Sequence, residues 1–452
     1  MSAPRTLTFF GGAATATGSM MLLEAAGARV LLDAGLFQGN LIAADAKNRD
    51  LPLDPRKLDA ILLTQAGLAY AGRCPQLVRH GFTGPIYATP GTCDLAAVLL
   101  AEAAIELEAR NAGALYGLDD VFATKRLFVG QPYARAIHLR RNLVFEFADA
   151  GHILGSASIE LHTGEGGSHR LIYSGCVGRP GSSLFRDPEP SAGPVDTLIV
   201  GSPFAHANHP MFADAQQRLA TIINDAVHRG GRIVVPASSL GPVHEFIRAV
   251  QELRRRGAIP DIPIWLDTPT PVSLTTLLRL HPEVLSQGER GYYSEGGAFD
   301  ESLIRHATSD AQRAECDAFE GPAIVVAAGE TGDGGRAAHH LNRCLGDVRH
   351  IVLLLSFQEE GSVGQLLLDG AQEVTLEGDR IERRAAVEAM PAFSGHADGE
   401  EMRAWVRALT GPIKRAFVVH GDDLAVAMMV TILREEGVRD VIVPREGESF
   451  PF

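Results

Sequence analysis

The sequence predicts an α/β protein built of two domains, and three observations support that fold class. At 452 residues the chain is longer than one ordinary hydrophobic core requires, so we expect two domains. The first 35 residues contain three short apolar segments (6–10, 20–23 and 29–33), which is typical of strands. From about residue 206 strand and helix patterns alternate, which indicates a parallel, doubly wound sheet.

The predicted elements follow from local composition. The apolar run 60–63 predicts a buried strand, and the Ala-, Leu- and Glu-rich segment 95–110 predicts a helix by intrinsic propensity. In the second domain an apolar stripe runs along 213–229 until Gly230 ends the helix. The remaining elements expected along the chain are a helix at 74–79, strands at 86–88, 143–147, 172–174, 197–200, 232–236 and 264–267, a helix at 243–256, strands at 323–327 and 414–420, a helix at 422–436 and a last edge strand at 440–443.

Composition excludes some classes of protein. The hydrophobic content of 46% and the charged content of 21% are typical of a globular protein, and no apolar run reaches the length of a membrane span. Five cysteines without a C-x-x-C motif indicate free thiols, so we expect a cytoplasmic protein that does not contact a membrane. A net charge of −14 argues against binding nucleic acid by bulk electrostatics.

Several short blocks carry a resemblance to a known family. Residues 33–39 read DAGLFQG, residues 64–72 read TQAGLAYAG and residues 150–157 read AGHILGSA. Further on, SGCVGR stands at 174–179, SGHAD at 394–398 and VVHGD at 418–422. In this order the blocks resemble the motifs of the metallo-β-lactamase superfamily, in its RNA-processing β-CASP branch.

The resemblance implies the architecture in more detail. It predicts an αββα metallo-β-lactamase-like sandwich with an inserted doubly wound β-CASP domain. The first part of the lactamase-like domain would span 1–205, the β-CASP domain 206–388, and the C-terminal part of the lactamase-like domain 389–452.

The same resemblance indicates a degenerate metal centre. In the family the loop at 64–72 reads T-H-x-H-x-D-H-x-G, an aspartate bridges two metals, and an acidic residue follows a later strand. The residues that stand at these positions here are Gln65, Gly67, Ala69, Tyr70, Cys176 and Gly201. Zinc needs several imidazole, thiolate or carboxylate ligands, and a bound water loses its proton near pH 7 only beside a metal ion. We therefore expect no cofactor and no nuclease activity.

Three family histidines persist. By resemblance His152 and His420 correspond to metal ligands, and His396 corresponds to a proton donor. Each is more often a buried structural histidine than a catalyst when its companions are missing. Because a thiolate is a good zinc ligand, the alternative is a single zinc held by His152, Cys176 and His420.

Groups that handle RNA in the family are also altered. Pro242 stands where the family has an arginine, Glu330 and Asp333 add negative charge to a phosphate-binding loop, and Gln365 replaces another arginine. Arginine suits bidentate phosphate contacts, so these changes weaken the case for RNA binding.

Three hypotheses follow, in decreasing order of support. The chain is a pseudonuclease that forms a heterodimer with an active β-CASP paralogue, or a homodimer, and so acts as a partner or scaffold in RNA processing. Alternatively it binds RNA without cleaving it, or it is a repurposed zinc-dependent hydrolase.

Overall fold

The computed structural model describes the chain except residues 1–4, 40, 111–113, 211, 238–241, 268–273, 295–302, 356–357 and 359–360. It divides into two compact units. The first comprises Met1–Asn208, His281–Ser286 and His396–Phe452, and the second comprises His209–Leu280 and Gln287–Gly395. The segment His281–Ser286, which the sequence placed in the inserted domain, therefore belongs to the first unit, and the division expected after residue 388 falls inside a strand of the second.

The strands run in chain order as β1 (Thr6–Gly11), β2 (Met20–Ala25), β3 (Ala28–Leu32), β4 (Ala60–Leu62), β5 (Ile86–Ala88), β6 (Phe128–Gly130), β7 (Ile137–Arg140), β8 (Leu143–Asp149), β9 (Ala157–Thr163), β10 (His169–Tyr173), β11 (Val195–Gly201), β12 (Arg232–Ala237), β13 (Ile264–Asp267), β14 (Ile304–His306), β15 (Ala323–Ala328), β16 (Ile351–Leu354), β17 (Glu373–Leu376), β18 (Asp379–Glu382), β19 (Ala386–Ala389), β20 (Ile413–Val419), β21 (Asp440–Ile442) and β22 (Ser449–Pro451).

The helices are α1 (Leu41–Arg49), α2 (Leu68–Ala71), α3 (Cys74–Arg79), α4 (Pro90–Arg110), α5 (Leu118–Lys125), α6 (Phe212–His228), α7 (Pro242–Arg255), α8 (Leu274–Leu280), α9 (Gln287–Ser294), α10 (Asp310–Ala318), α11 (Gly335–Cys344), α12 (Val363–Leu368), α13 (Gly399–Ala408) and α14 (Asp423–Glu435). Several begin at a side chain that accepts a hydrogen bond from the first turn. Asp398 caps α13 in a capping box with Glu401, and Asp422 caps α14.

Two sheets form the first unit. Their strand orders are β22-β1-β2-β3-β4-β5-β6 and β21-β20-β11-β10-β9-β8-β7. One hydrophobic cluster joins their facing sides and includes Phe9, Phe145, Phe147 and Phe417. A second cluster packs α13 and α14 on the outer face of one sheet, and a third packs α3 on the outer face of the other. This helix–sheet–sheet–helix layering confirms the predicted αββα fold class.

The second unit contains a six-stranded sheet in the order β14-β13-β15-β12-β16-β19. Every neighbouring pair in it is parallel, and parallel neighbours need crossover connections, here supplied by helices such as α7 and α11. The alternating pattern in the sequence therefore predicted this sheet correctly. A separate hairpin, β17–β18, lies beside it in the chain.

Nine of the observed strands were not expected from the sequence: β6, β7, β9, β14, β16, β17, β18, β19 and β22. The last predicted strand, 440–443, is β21, but β22 follows it and pairs antiparallel with β1, with Leu7 opposite Phe450. Residues 449–451 read SFP, a pattern too short to predict a strand without its partner. The ring of Phe450 lies 5.2 Å from that of Phe417, so the end of the chain closes one side of the core.

The aromatic cluster between the two sheets gives a first prediction. Phe417 is fully buried and its ring centroid lies 5.1 Å from that of Phe9. We expect Phe417→Ala to lower the free energy of unfolding by about 3–5 kcal/mol, because the cavity cannot close. The exposed Phe122 provides the control, and Phe122→Ala should change stability by less than about 0.5 kcal/mol. Urea unfolding measures both, and equal losses in the two variants would contradict the assignment of the core.

Candidate functional site

The motif loops of the first unit meet at the carboxyl ends of β3, β4 and β10. Strands β3 and β4 are parallel neighbours, so Asp33, which follows β3, lies beside Thr64, which follows β4. The Asp33 carboxylate accepts hydrogen bonds from the Thr64 backbone N–H at 2.8 Å and from its hydroxyl at 3.0 Å. Asp33 thus fixes the start of the loop 64–72.

Asp33 is also the centre of a buried polar network. Its Oδ2 accepts hydrogen bonds from Ser19 Oγ at 2.9 Å and from the Tyr173 hydroxyl at 2.7 Å. Burial raises the pKa of Asp33 to about 6, although these hydrogen bonds act in the opposite direction. The Tyr173 hydroxyl in turn lies 3.2 Å from His420 Nε2.

Tyr70 lies between Cys176, which follows β10, and His420, which follows β20. Its hydroxyl is hydrogen-bonded to Cys176 Sγ at 2.8 Å, and its ring centroid lies 5.2 Å from that of His420. Burial raises the pKa of Cys176 to about 12, and the hydrogen bonds from Tyr70 and Gln65 only partly oppose this effect. The thiol is therefore neutral at pH 7 and is held by two side chains from the loop 64–72.

Other atoms of the protein lie close to the glycine and alanine positions of the site. A Cβ at Gly201 would lie 2.9 Å from the Gly175 carbonyl oxygen, so a longer side chain there requires that segment to move. The Ala69 carbonyl accepts a hydrogen bond from the Ser19 backbone N–H at 2.8 Å. At Gly67 a Cβ would lie 3.0 Å from Gln65 Oε1. A longer side chain at Gly201 would therefore displace backbone, whereas at Gly67 it would displace only the Gln65 side chain.

The structure brings together a different set of donors from the predicted one. His152, Cys176 and His396 place one ligand atom each within 4.8 Å of the others, and the rings of His152 and His396 are 4.1 Å apart. His420 was expected in this group but lies on the other side of Tyr70, near Tyr173 and Gly12. An isolated bridge between Gly178 and His396 explains the difference, because it brings the 394–398 loop beside Cys176.

This donor set fits one metal ion but not two. One thiol and two imidazoles are the side chains that zinc prefers, at about 2.0–2.3 Å from the ion. They would have to approach each other, and the thiol would have to lose its proton. A two-metal centre needs further donors, and positions 65, 67, 69 and 70 offer an amide, two side chains without donors and a phenol that is bonded to Cys176.

Burial keeps His420 neutral. It lowers the pKa of this imidazole to about 4, and only 1% of the residue is exposed. A Cβ at Gly12 would overlap the His420 ring, so the glycine is required where the ring crosses the β1 loop. His420 is thus a packed core histidine in this arrangement.

Comparison with known proteins agrees with the fold. The Beta-Casp domain family matches residues 243–367, and the family described as a Zn-dependent metallo-hydrolase RNA specificity domain matches residues 380–444. These two matches support the β-CASP branch of the metallo-β-lactamase superfamily as the family that this chain resembles.

Similar proteins span nearly the whole chain. Ribonuclease TTHA0252 of Thermus thermophilus is 28% identical over 445 residues, which is 98% of this chain and 99% of that protein. The transcription termination factor FttA of Methanosarcina mazei is 28% identical over 433 residues, covering 93% of this chain and 67% of that protein. A crystal structure of a protein of unknown function from Enterococcus faecalis matches over 100% of both chains with a TM-score of 0.56 and 13% identity, which shows the fold alone.

The altered β-CASP loops of the second unit have local structural partners. Asp333 Oδ1 accepts a hydrogen bond from the Val363 backbone N–H, and Gln365 Nε2 donates to Asp369. The Glu330 carbonyl accepts a hydrogen bond from Gln358. The side chain of Pro242 lies outside the described residues. Weakened RNA binding at these loops stays a prediction.

None of the described helices is long and apolar enough to cross a membrane.

The buried network predicts a pH dependence of stability. The pKa of Asp33 is about 6 in the folded chain against an ordinary value of 3.8, so between pH 4 and 6 the folded state binds more protons than the unfolded state. This contribution to stability is present at low pH and is lost as the pH rises to about 6. His420, whose pKa is lowered from 6.5 to about 4, acts in the opposite direction, because its contribution is lost as the pH falls.

Asp33→Asn removes the Asp33 contribution to the pH dependence of stability. The variant should therefore retain the opposite pH dependence that is due to His420. Wild-type stability relative to the variant should rise by up to about 3 kcal/mol as the pH falls from 6.5 to 4. Urea unfolding at several pH values in this window measures the difference. Parallel curves for the two proteins would contradict the buried, proton-binding role of Asp33.

Proposed function

We propose that this chain is a non-catalytic member of the β-CASP family that serves as a partner or scaffold for an active RNA-processing nuclease. One observation carries the proposal. The residues at the family's ligand positions contact one another directly, through the 2.8 Å bond between Tyr70 and Cys176 and the packing of Tyr70 on His420. The Tyr70 hydroxyl and the Cys176 thiol thus satisfy each other without needing an ion.

The chemistry of hydrolysis supports the same conclusion. Metal-dependent cleavage of a phosphodiester requires a bound water whose pKa is lowered by one or two ions. A neutral thiol, a phenol and an amide do not replace the carboxylates and imidazoles that hold such ions in hydrolases. His396, the family's proton donor, is in place, but a general acid alone does not activate the attacking water.

Retention of the whole fold favours a role in binding. The two sheets, their helices and the inserted unit are all present, so a surface that recognises a partner can persist without catalysis. The similar ribonuclease has nearly the same length as this chain, which makes a related β-CASP nuclease the natural partner, with a second copy of this chain as the alternative. RNA is a weaker candidate, since the net charge is −14 and carboxylates occupy the 329–335 loop.

Metal content and cleavage test the absence of catalysis. Untagged protein purified without chelator should contain far less than one zinc or manganese per chain, and it should not cleave single-stranded RNA. The Thermus ribonuclease, purified and assayed identically, is the positive control. Two ions per chain, or cleavage abolished by a chelator, would overturn the proposal.

Partner binding is tested separately. A tagged chain expressed in its own cells should co-purify with a β-CASP nuclease in a defined ratio. Light scattering of the isolated chain reports self-association. A monomer that captures no β-CASP protein would remove the partner role while leaving the absence of catalysis intact.

The donor group His152, Cys176 and His396 favours a second candidate, a hydrolase that uses one zinc ion. In that case the protein should hold one zinc per chain, and cobalt substitution should give an intense thiolate-to-metal absorption band. Cys176→Ser should abolish the band and the hydrolytic activity.

His420→Gln provides the matched control for the zinc site. The predicted group included His420 but the observed group does not, so this variant should retain the metal if the geometric grouping is correct. Loss of zinc in His420→Gln with retention in His396→Ala would instead support the group expected from the sequence.

A further inference from the structure

The second unit contains a cavity that the motif analysis did not anticipate. It has a volume of about 580 Å³ and lies at the amino-terminal edge of the parallel sheet. Arg232, the first residue of β12, and His350, which precedes β16, line it together with Gly321, two residues before β15. The volume lies in the range typical of small-ligand sites. The family's loops at the carboxyl ends of the strands are at the opposite edge of this sheet.

Two arginines of this cavity lack a strong partner. The guanidinium groups of Arg232 and Arg343 approach the Asp317 carbonyl oxygen at 3.5 and 3.4 Å, beyond the usual 2.7–3.2 Å of such bonds. Among the described residues neither forms an ion pair with a carboxylate, whereas the neighbouring Arg349 pairs with Asp347 at 2.7 Å. Since the two guanidinium groups converge on one oxygen, they present two positive charges close together.

A histidine adds a neutral donor to the same wall. His350 Nδ1 accepts a hydrogen bond from the Arg232 backbone N–H at 2.9 Å, so its ring proton is on Nε2. Burial lowers the pKa of His350, which keeps the ring neutral at pH 7. The nearest carboxylate to Nε2 is that of Asp347, at 3.9 Å. This imidazole can therefore donate one hydrogen bond to a ligand.

The charges around the cavity disfavour a metal ion. Asp317, His339 and His340 place donor atoms within 4.8 Å of one another, which could suggest a cation site. However, Arg313 and Arg336 both bind Asp267, which also accepts from His340 Nε2. Within the lining itself, three arginines (Arg232, Arg343 and Arg349) stand against two carboxylates (Asp317 and Glu320). A dication would meet a net positive surrounding, while an anion would be attracted.

The lining also offers an aromatic surface. Phe319 lies in the wall of the cavity, half-buried, with its ring centroid 6.1 Å from the Trp265 ring. A phosphate group alone would occupy only part of 580 Å³, so a larger ligand with a flat apolar group would use the cavity more completely. Glu320, exposed in the same wall, is the one acidic side chain of the lining besides Asp317.

We propose that this cavity binds a small phosphate monoester of nucleoside-monophosphate size, with Arg232 and Arg343 contacting the phosphate. Guanidinium groups bind phosphate oxygens through paired, charge-assisted hydrogen bonds, which replace the long contacts to the Asp317 carbonyl. The ring of Phe319 contacts the base. This proposal does not depend on the absence of catalysis in the first unit.

Calorimetric titration of the full chain tests the site with three probes: adenosine monophosphate, inorganic phosphate and adenosine. The nucleotide should bind most tightly, phosphate more weakly, and adenosine without phosphate should not bind measurably. Arg343→Gln should weaken nucleotide binding at least tenfold. Glu320→Gln should leave it equal or tighter, because it removes a negative charge from the wall.

A distant arginine of the same unit is the matched control. Arg380 is exposed on β18 and pairs with Glu373, so Arg380→Gln should not change binding. Arg343 is exposed, so its variant should fold, and circular dichroism checks this for Arg232→Gln as well. Absence of nucleotide binding at millimolar concentration, or equal binding in Arg343→Gln, would overturn the proposal. Binding of a 5′-phosphorylated oligonucleotide but not of adenosine monophosphate would also overturn it.

Discussion

The carboxylate of Asp33 holds the two sheets of the first unit together where the motif loops meet. Thr64 follows β4 in one sheet, Tyr173 ends β10 in the other, and both donate to the same fully buried side chain. A buried carboxylate without partners would be costly, but this one accepts bonds from three residues. This connection places the loop 64–72, which starts at Thr64, and Cys176, which stands three residues after Tyr173.

Tyr70 and Cys176 make a second connection between the same sheets. In the family, by resemblance, metal ions occupy this region and bind residues from several loops. Here a hydrogen bond and an aromatic contact join residues from the corresponding loops. A buried phenol and thiol that are hydrogen-bonded to each other avoid the cost of unpaired polar groups, so this contact does not require an ion. The fold therefore does not depend on a catalytic centre, which supports the proposed non-catalytic role.

The sequence predicted the layers of the fold well and the contacts of the site less well. Apolar periodicity located strands such as β5 and helices such as α3 at their observed bounds, since burial of one face is a local property. It did not predict β22, because that strand depends on its pairing with β1 rather than on its own residues. The grouping of His396 with His152 and Cys176 depends on three distant loops, and spacing in the sequence contains no information about it. The cavity of the second unit could not be predicted for the same reason. Arg232 and Arg343 are 111 positions apart in the sequence, and they approach each other at a carbonyl oxygen near the end of α10.

The position of Tyr70 divides what could have been one centre into two. On one side His420 is buried, uncharged and in contact with Tyr173, so it offers a ligand atom only if this packing is disrupted. On the other side His152, Cys176 and His396 can hold at most one ion between them. Two ions that clamp the attacking and leaving oxygens of a phosphodiester need donors on both sides at once. Tyr70→His alone would add one donor, but it would leave the amide at 65 and the small residues at 67, 69 and 201 unchanged. A two-metal centre would therefore need new donors at several of these positions, and we expect no single substitution in this chain to supply them.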